Sequence, residues 1–381
     1  MRKKILYIFG GFYTPNGMAS IISEKVNYLA ENTDYEMYMV LTEIQDKPEF
    51  YQLSEKIKRV ILNINFDELD RMPIFKKIVF FLIKQRKYRK QLTRCLTDIK
   101  PDITVSITRR EINFLTQIKD GSKKVSEIHF ARTFYRKIDK RYLPKWLNQW
   151  LSKLWMDSLI KNLKDLDKFV VLTHEDMENW PELNNIMVIP NFVSKQSSGK
   201  SDCSQKRVIA VGRYSWQKGF DLLIAAWKIV HERHPDWSLD IYGGGDNDQY
   251  QEMADAKQLS SVVHCLPAVP NVCEKYLESS VFVLSSRYEG FGLVLVEAMS
   301  VGLPAVAFAC PCGPRDLIQD GYNGLLVENS NVEQLADKIS ILIENGDLRQ
   351  LMSFNAVASV AHYTKDIIMQ QWIKLFDDLL L

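Results

Sequence analysis

An α/β protein built on parallel sheets is what this 381-residue sequence predicts, in two domains, and three observations predict it. Short β-rich runs alternate with helical patterns along the chain, the order that feeds parallel strands through helical crossovers. One polar window rich in breakers, residues 191–206 with Ser197-Ser198-Gly199-Lys200-Ser201, divides the chain. The charge divides at the same place. Residues 1–190 hold 33 Lys and Arg against 24 Asp and Glu, net +9, and the remainder hold 16 against 23, net −7. Halves of opposite sign point to different partners.

In order, strands are predicted at 4–9, 36–41, 60–63, 103–107, 124–128 and 169–172, then at 207–211, 238–242, 262–266, 281–284, 304–309 and 324–327. Helical patterns separate most of them. The first strand follows Arg2, Lys3 and Lys4. Its apolar run is short and no small-residue cleavage site follows, so it reads as a buried strand ending at Gly10-Gly11 and not as a leader. The domains are thus 1–190, a linker at 191–206, and 207–365; residues 366–381 form a last amphipathic segment.

A hydrophobic fraction of 46% and a charged fraction of 25% are ordinary for a soluble globular chain. No apolar stretch approaches the ~20 residues of a spanning helix. The six cysteines are scattered, and Cys310-Pro311-Cys312 has no second pair at zinc spacing, so reduced thiols in a cytoplasm are expected.

The most informative stretch is Tyr288-Glu289-Gly290-Phe291-Gly292-Leu293-Val294-Leu295-Val296-Glu297. A strand, a glycine loop and a helix opening near Phe291 or Gly292 make a site for anions, because free N–H groups and the helix dipole face outward. Two carboxylates beside it accept hydroxyls. A ligand satisfying both demands carries phosphate and polyol together, as a nucleotide-sugar does. Glu297 stands among apolar neighbours and is expected to be buried and in need of a partner. Arg213 and Lys218 flank a second loop, where two cations oppose a helix N-terminus at roughly 0.3–1 kcal/mol each. A diphosphate resolves that conflict.

The Glu289 to Glu297 block resembles the E-x7-E signature of retaining glycosyltransferases of family 4, which have the GT-B fold. Val211-Gly212-Arg213 through Lys218-Gly219-Phe220-Asp221, Gly313-Pro314-Arg315, and Gly321-Tyr322-Asn323-Gly324 are similar to that family's other markers. The likeness covers nearly all of the C-terminal half and only patches of the N-terminal half. It implies two Rossmann-like domains facing across a cleft, with the last helix (about 366–381) crossing back to the N-terminal domain. It implies that Arg213 and Lys218 hold the diphosphate, Glu289 the sugar hydroxyls and Glu297 the ribose. Gly290, Phe291, Gly292 and Leu293 would bring the backbone to sugar and phosphate. Gly17 would line a phosphate-facing loop, Gly10 to Ala19, and His129 would face the anomeric carbon. Departures from the pattern are Ser280, where Asp is usual, and Pro267, where Gly is usual.

The resulting expectation is hexosyl or N-acetylhexosaminyl transfer from a UDP-sugar to a saccharide or lipid-linked saccharide, with no cofactor and no divalent metal. A nucleotide-sugar epimerase of the same fold, or a non-catalytic partner subunit, is the alternative. Residues 71–94 hold nine Lys/Arg and no Asp/Glu beside apolar positions at helical spacing. This basic helix, within residues 71–96, either lies on an anionic membrane surface or packs on the core with a solvated basic face. The first reading makes the enzyme peripheral on the inner face of the cell membrane. The stripes Trp146/Trp150/Leu154 and Leu147/Leu151/Trp155 are expected to pack in the core. No nucleic-acid motif accompanies the basic patch.

Overall fold

The computed structural model describes residues 2–13, 16–44, 48–135, 144–193 and 199–381, with the side chains at 70, 71, 74 and 75 outside that set. Thr14 and Pro15 of the first glycine loop, and Ser197 and Ser198 of the polar window, lie outside the described residues. The chain forms two compact units. Unit 1 comprises residues 1–172, 176–189 and 368–381; unit 2 comprises 173–175 and 190–367.

In unit 1 the order is β1 (Lys4–Phe9), α1 (Gly17–Asn32), β2 (Glu36–Leu41), β3 (Lys58–Ile61), α2 (Ile74–Ile99), β4 (Ile103–Ser106), β5 (Lys123–Glu127), α3 (Lys145–Lys164), β6 (Lys168–Val171), α4 (His174–Glu178, in this unit from Asp176 onward) and β7 (Ile186–Val188). Their sheet runs β3-β2-β1-β4-β5-β6-β7, with every pairing parallel. Side chains alternate across it. Leu6 and Ile8 join Tyr88, Leu92 and Leu96 of α2 on one face. Tyr7 points to the other.

The connections from β3 to β4 and from β5 to β6 advance along the sheet in one direction, and β1 to β2 runs the opposite way. Right-handed crossovers therefore put α2 and α3 on one face and α1 on the other. The C-terminal half of α2 supplies the core. Earlier in the helix Ile78, Val79, Phe80, Leu82 and Ile83 are exposed. The tryptophan stripes of α3 correct the expectation of core packing, for Trp146 is 68% and Trp150 53% exposed, and Leu154 and Trp155 are exposed too. Leu159 and Leu163, one helical turn apart, do the packing, against Ile128, Phe169 and Trp180. Among the described residues no helix is long and apolar enough to cross a membrane.

Unit 2 continues with β8 (Arg207–Val211), α5 (Phe220–Arg233), β9 (Ser238–Gly243), α6 (Asn247–Asp255), β10 (Val263–Pro267), α7 (Val272–Leu277), β11 (Val281–Leu284), α8 (Leu293–Ser300), β12 (Ala305–Phe308), α9 (Pro314–Leu317), β13 (Gly324–Val327), α10 (Val332–Glu344) and α11 (Gly346–Val360). Its parallel sheet runs β10-β9-β8-β11-β12-β13. Residues 199–206 lie in this unit; Cys203 is fully buried there, its thiol donating to Gly302 O at 3.4 Å. The final helix, α12 (Lys365–Leu380), joins unit 1 from Ile368 onward.

Candidate functional site

In the unit 2 sheet the strand order reverses between β8 and β11, which pair as neighbours. Loops at the carboxyl ends of such strands form the crevice where open α/β sheets bind ligands. Two loops meet there. The loop after β8 turns through a 3₁₀ segment at Trp216–Lys218 and enters α5 at Gly219, whose φ is +63°. A Cβ at Gly219 would stand 2.1 Å from Ser285 O, so only glycine fits. Ser285 Oγ donates to Lys218 O at 2.9 Å, Arg287 N to Gln217 O at 2.8 Å, and Gln217 Nε2 to Tyr288 O at 3.1 Å. The two loops are sewn together by backbone as well as side chains.

The stitching brings Lys218 Nζ to 2.7 Å from Glu289 Oε1, where Ser286 Oγ also donates at 2.6 Å. Both side chains of the ion pair are largely buried, at 14% and 7% exposure. Arg213 lies on the same loop, exposed, and its guanidinium makes no hydrogen bond or ion pair with a described residue. The cradle therefore holds one cation already paired with a carboxylate and one cation reaching outward.

After Glu289 the chain passes Gly290 and buried Phe291 to Gly292, whose φ of +89° starts α8 at Leu293. Leu295 N and Val296 N already donate to Gly292 O, leaving the N–H groups ahead of them at the helix mouth. Gly313 backs this turn so closely that a Cβ would sit 2.3 Å from Phe291 O. Glu297 is half-buried rather than enclosed, because it lies on the side of α8 that meets α7. Tyr276 of α7 donates to Glu297 Oε2 at 3.4 Å. Burial, and then the Glu297 charge, push the Tyr276 hydroxyl well above its ordinary value.

Sequence reasoning missed three supports of this site, Ser286, Tyr276 and Arg287. The Arg287 guanidinium grips both Asp221 oxygens at 2.9 and 2.7 Å, donates to Trp216 O at 2.6 Å and lies 4.7 Å from the Trp216 ring centre. A bidentate clamp of this kind fixes geometry as well as adding energy. Its signal was present as a cation two positions before Glu289 and an Asp in the first turn of α5.

Gly17 and His129 belong to unit 1. Gly17 opens α1, with Asn16 Oδ1 capping Ala19 N at 2.9 Å. His129 follows β5, its Nε2 standing 3.2 Å from Glu127 Oε2.

Residues 194–358 match the family described as glycosyl transferases group 1. An uncharacterized glycosyltransferase of Haemophilus influenzae is 28% identical over 336 residues, covering 86% of this chain and 87% of that protein. A Staphylococcus aureus poly(ribitol-phosphate) alpha-N-acetylglucosaminyltransferase is 33% identical over 225 residues, 58% of this chain and 45% of its own length. This second match thus spans about half of that relative. The crystal structure of an S. aureus TarM mutant in complex with fondaparinux, alpha-GlcNAc-glycerol and UDP superposes with a TM-score of 0.74. It is 18% identical and covers 98% of this chain and 99% of that one. The two parallel-sheet units are those of a GT-B fold. The family likeness falls on residues 194–358, within the second of these units.

Proposed function

We propose that this chain is a retaining glycosyltransferase of family 4 that moves a hexose or N-acetylhexosamine from a UDP-sugar. The acceptor is a saccharide or lipid-linked saccharide of a growing glycan. The observation that carries the reading is the arrangement of Lys218, Glu289 and Arg213 on two loops sewn together where the unit 2 sheet reverses. In that arrangement Arg213 takes diphosphate oxygens bidentately and Lys218 neutralises the charge that grows as the glycosidic bond breaks. Glu289, fixed by Lys218 and Ser286, accepts from sugar hydroxyls, and Glu297 accepts from the ribose. Gly290, Phe291, Gly292 and Leu293 offer backbone N–H groups to sugar and phosphate. In unit 1, which receives the acceptor, Gly17 and His129 face the substrate. The acceptor hydroxyl attacks from the side on which the diphosphate departs, and a phosphate oxygen takes its proton. The two cations fill the role that a divalent metal plays in other transferases.

The choice of UDP is supported by the TarM complex, and that of N-acetylhexosamine by the S. aureus relative's name. The chain works in the cytoplasm, peripheral on the inner face of the membrane. The support for this is the basic helix within residues 71–96 and the exposed apolar residues of α2 and α3.

A panel of nucleoside diphosphates and nucleotide-sugars, screened by thermal shift and slow donor hydrolysis with and without EDTA, tests the reading. UDP and one UDP-sugar should raise the melting temperature, and hydrolysis should persist in EDTA. A chain that binds no nucleoside diphosphate is not this enzyme.

A further inference from the structure

The carboxyl end of β5 carries a buried ionic cluster that the donor-binding loops do not use. Glu127 closes that strand and is wholly buried. Its Oε2 accepts from Lys25 Nζ at 2.5 Å and stands 3.2 Å from His129 Nε2. Lys25, from α1, is 2% exposed, and its ammonium lies 3.8 Å from the ring centre of Trp372 on α12. Glu127 Oε1 and the Tyr7 hydroxyl are buried without a hydrogen bond to any described residue. Among the described residues, then, Lys25 and His129 are what stabilise this carboxylate.

Such a pair is a poor device for stability. Each ion costs several kcal/mol to take out of water, and apolar residues of similar volume commonly hold a fold as well or better. What the pair does provide is a fixed acceptor beside one imidazole, at the carboxyl end of an interior parallel strand, the side of such sheets on which ligands bind. Burial pushes the Glu127 carboxyl up, but Lys25 and His129 outweigh it and hold it down to about 2. An ionised carboxylate can only accept, so His129 Nε2 carries the hydrogen in their contact. Nδ1 makes no hydrogen bond with a described residue.

We propose that Lys25 and Glu127 are a positioning pair for His129, holding its ring with Nε2–H on the carboxylate and leaving Nδ1 to meet the substrate that unit 1 receives. Trp372 covers Lys25, which makes the C-terminal helix part of the support. The inference rests on the role given above to His129.

The test uses the full chain with ¹⁵N-labelled histidine. Two-bond correlation spectra report which ring nitrogen is protonated, and His129→Gln identifies the signal among the six histidines. The parent ring should show Nε2–H. Glu127→Gln should give mixed tautomers and lower kcat about 10²-fold, the scale of a small misplacement, with donor KM little changed. Because that variant strands a buried ammonium, Lys25→Met/Glu127→Leu is made beside it to remove both charges. It should fold, judged by circular dichroism, and show the same two changes. An Nδ1–H parent ring, or a folded double variant with parental kcat, overturns the proposal. A parent chain that turns over no nucleotide-sugar sinks the transfer reading instead, and the tautomer spectrum still decides the pair.

Discussion

Lys218 and Glu289, 71 positions apart in sequence, meet through a 2.7 Å ion pair that Ser286 completes from the same loop. A cation so placed keeps a buried carboxylate in position, and in the function proposed above it also meets the diphosphate. Lys218→Ala should therefore lower kcat/KM by ~10²-fold or more, the scale of one preorganised electrostatic group. It should also lower the melting temperature, since Glu289 loses its ionic partner. Adding Glu289→Gln to it should recover stability but not turnover. Near-normal turnover in the single variant would remove the pair from the mechanism.

Arg213 offers the cleaner separation, because it is exposed and its guanidinium holds nothing among the described residues. Arg213→Ala should leave unfolding free energy within about 0.5 kcal/mol of the parent. UDP affinity, measured by calorimetry, should weaken about tenfold or more, the loss of a hydrogen bond to a charged group. Parental affinity for UDP would place Arg213 outside the donor site.

The sequence was most readable where strands are buried on both faces. The runs at 4–9, 36–41, 207–211, 281–284 and 324–327 are strands with those same bounds. β7 went unseen because Ile186, Met187 and Val188 are three half-buried residues with no pattern long enough to register. Gly219, Lys218 and Glu289 were legible as loop chemistry, since glycine and charge at a strand–helix junction restrict what can happen there. The clamp of Arg287 on Asp221 was not, because it depends on how two loops 66 positions apart are seated. The α3 tryptophans show a further limit. Helical spacing reveals a stripe, but only the fold reveals whether anything covers it.

The seam between the two loops should be intolerant of a single methyl group. Gly219→Ala would need a left-handed φ and would drive Cβ against Ser285 O. The backbone conformation alone costs about 1–3 kcal/mol, and the clash must be relieved by moving the Ser285 segment that leads to Glu289. Denaturant unfolding should show a loss above that range, with UDP affinity falling alongside it. Gly321→Ala is the control: it too has positive φ, but nothing lies within 4 Å of its Cβ, so it should cost stability without touching UDP binding.

Acid should act on unit 1 through Glu127. Its folded value of about 2 lies below the ordinary 4.5, so the unfolded chain takes up the proton first as pH falls. The stabilisation is thus complete above about pH 4.5 and is lost on descending toward pH 2, a difference of a few kcal/mol at most. Melting temperatures recorded between pH 7 and pH 2.5 should fall less steeply in Lys25→Met/Glu127→Leu than in the parent. Parallel slopes would mean that Glu127 is not held ionised.

The outward face of α2 and α3 yields the last prediction. Both helices lie on one side of the unit 1 sheet, with Ile78, Val79, Leu82 and Ile83 exposed on one and Trp146 and Trp150 on the other. The surrounding charge favours an anionic partner, since residues 71–94 carry nine Lys/Arg and no Asp/Glu. Each cation near an anionic bilayer contributes about 1 kcal/mol, and indole rings settle at the headgroup level. The chain should sediment with anionic vesicles at low salt, far less at high salt, and little with neutral ones. Trp146→Ser/Trp150→Ser removes exposed rings only, so it should weaken sedimentation while leaving the melting temperature and soluble-donor hydrolysis unchanged. Absence from the pellet at both salt concentrations would assign the basic face to solvent, because nothing but charge and exposed apolar area draws this surface to a bilayer.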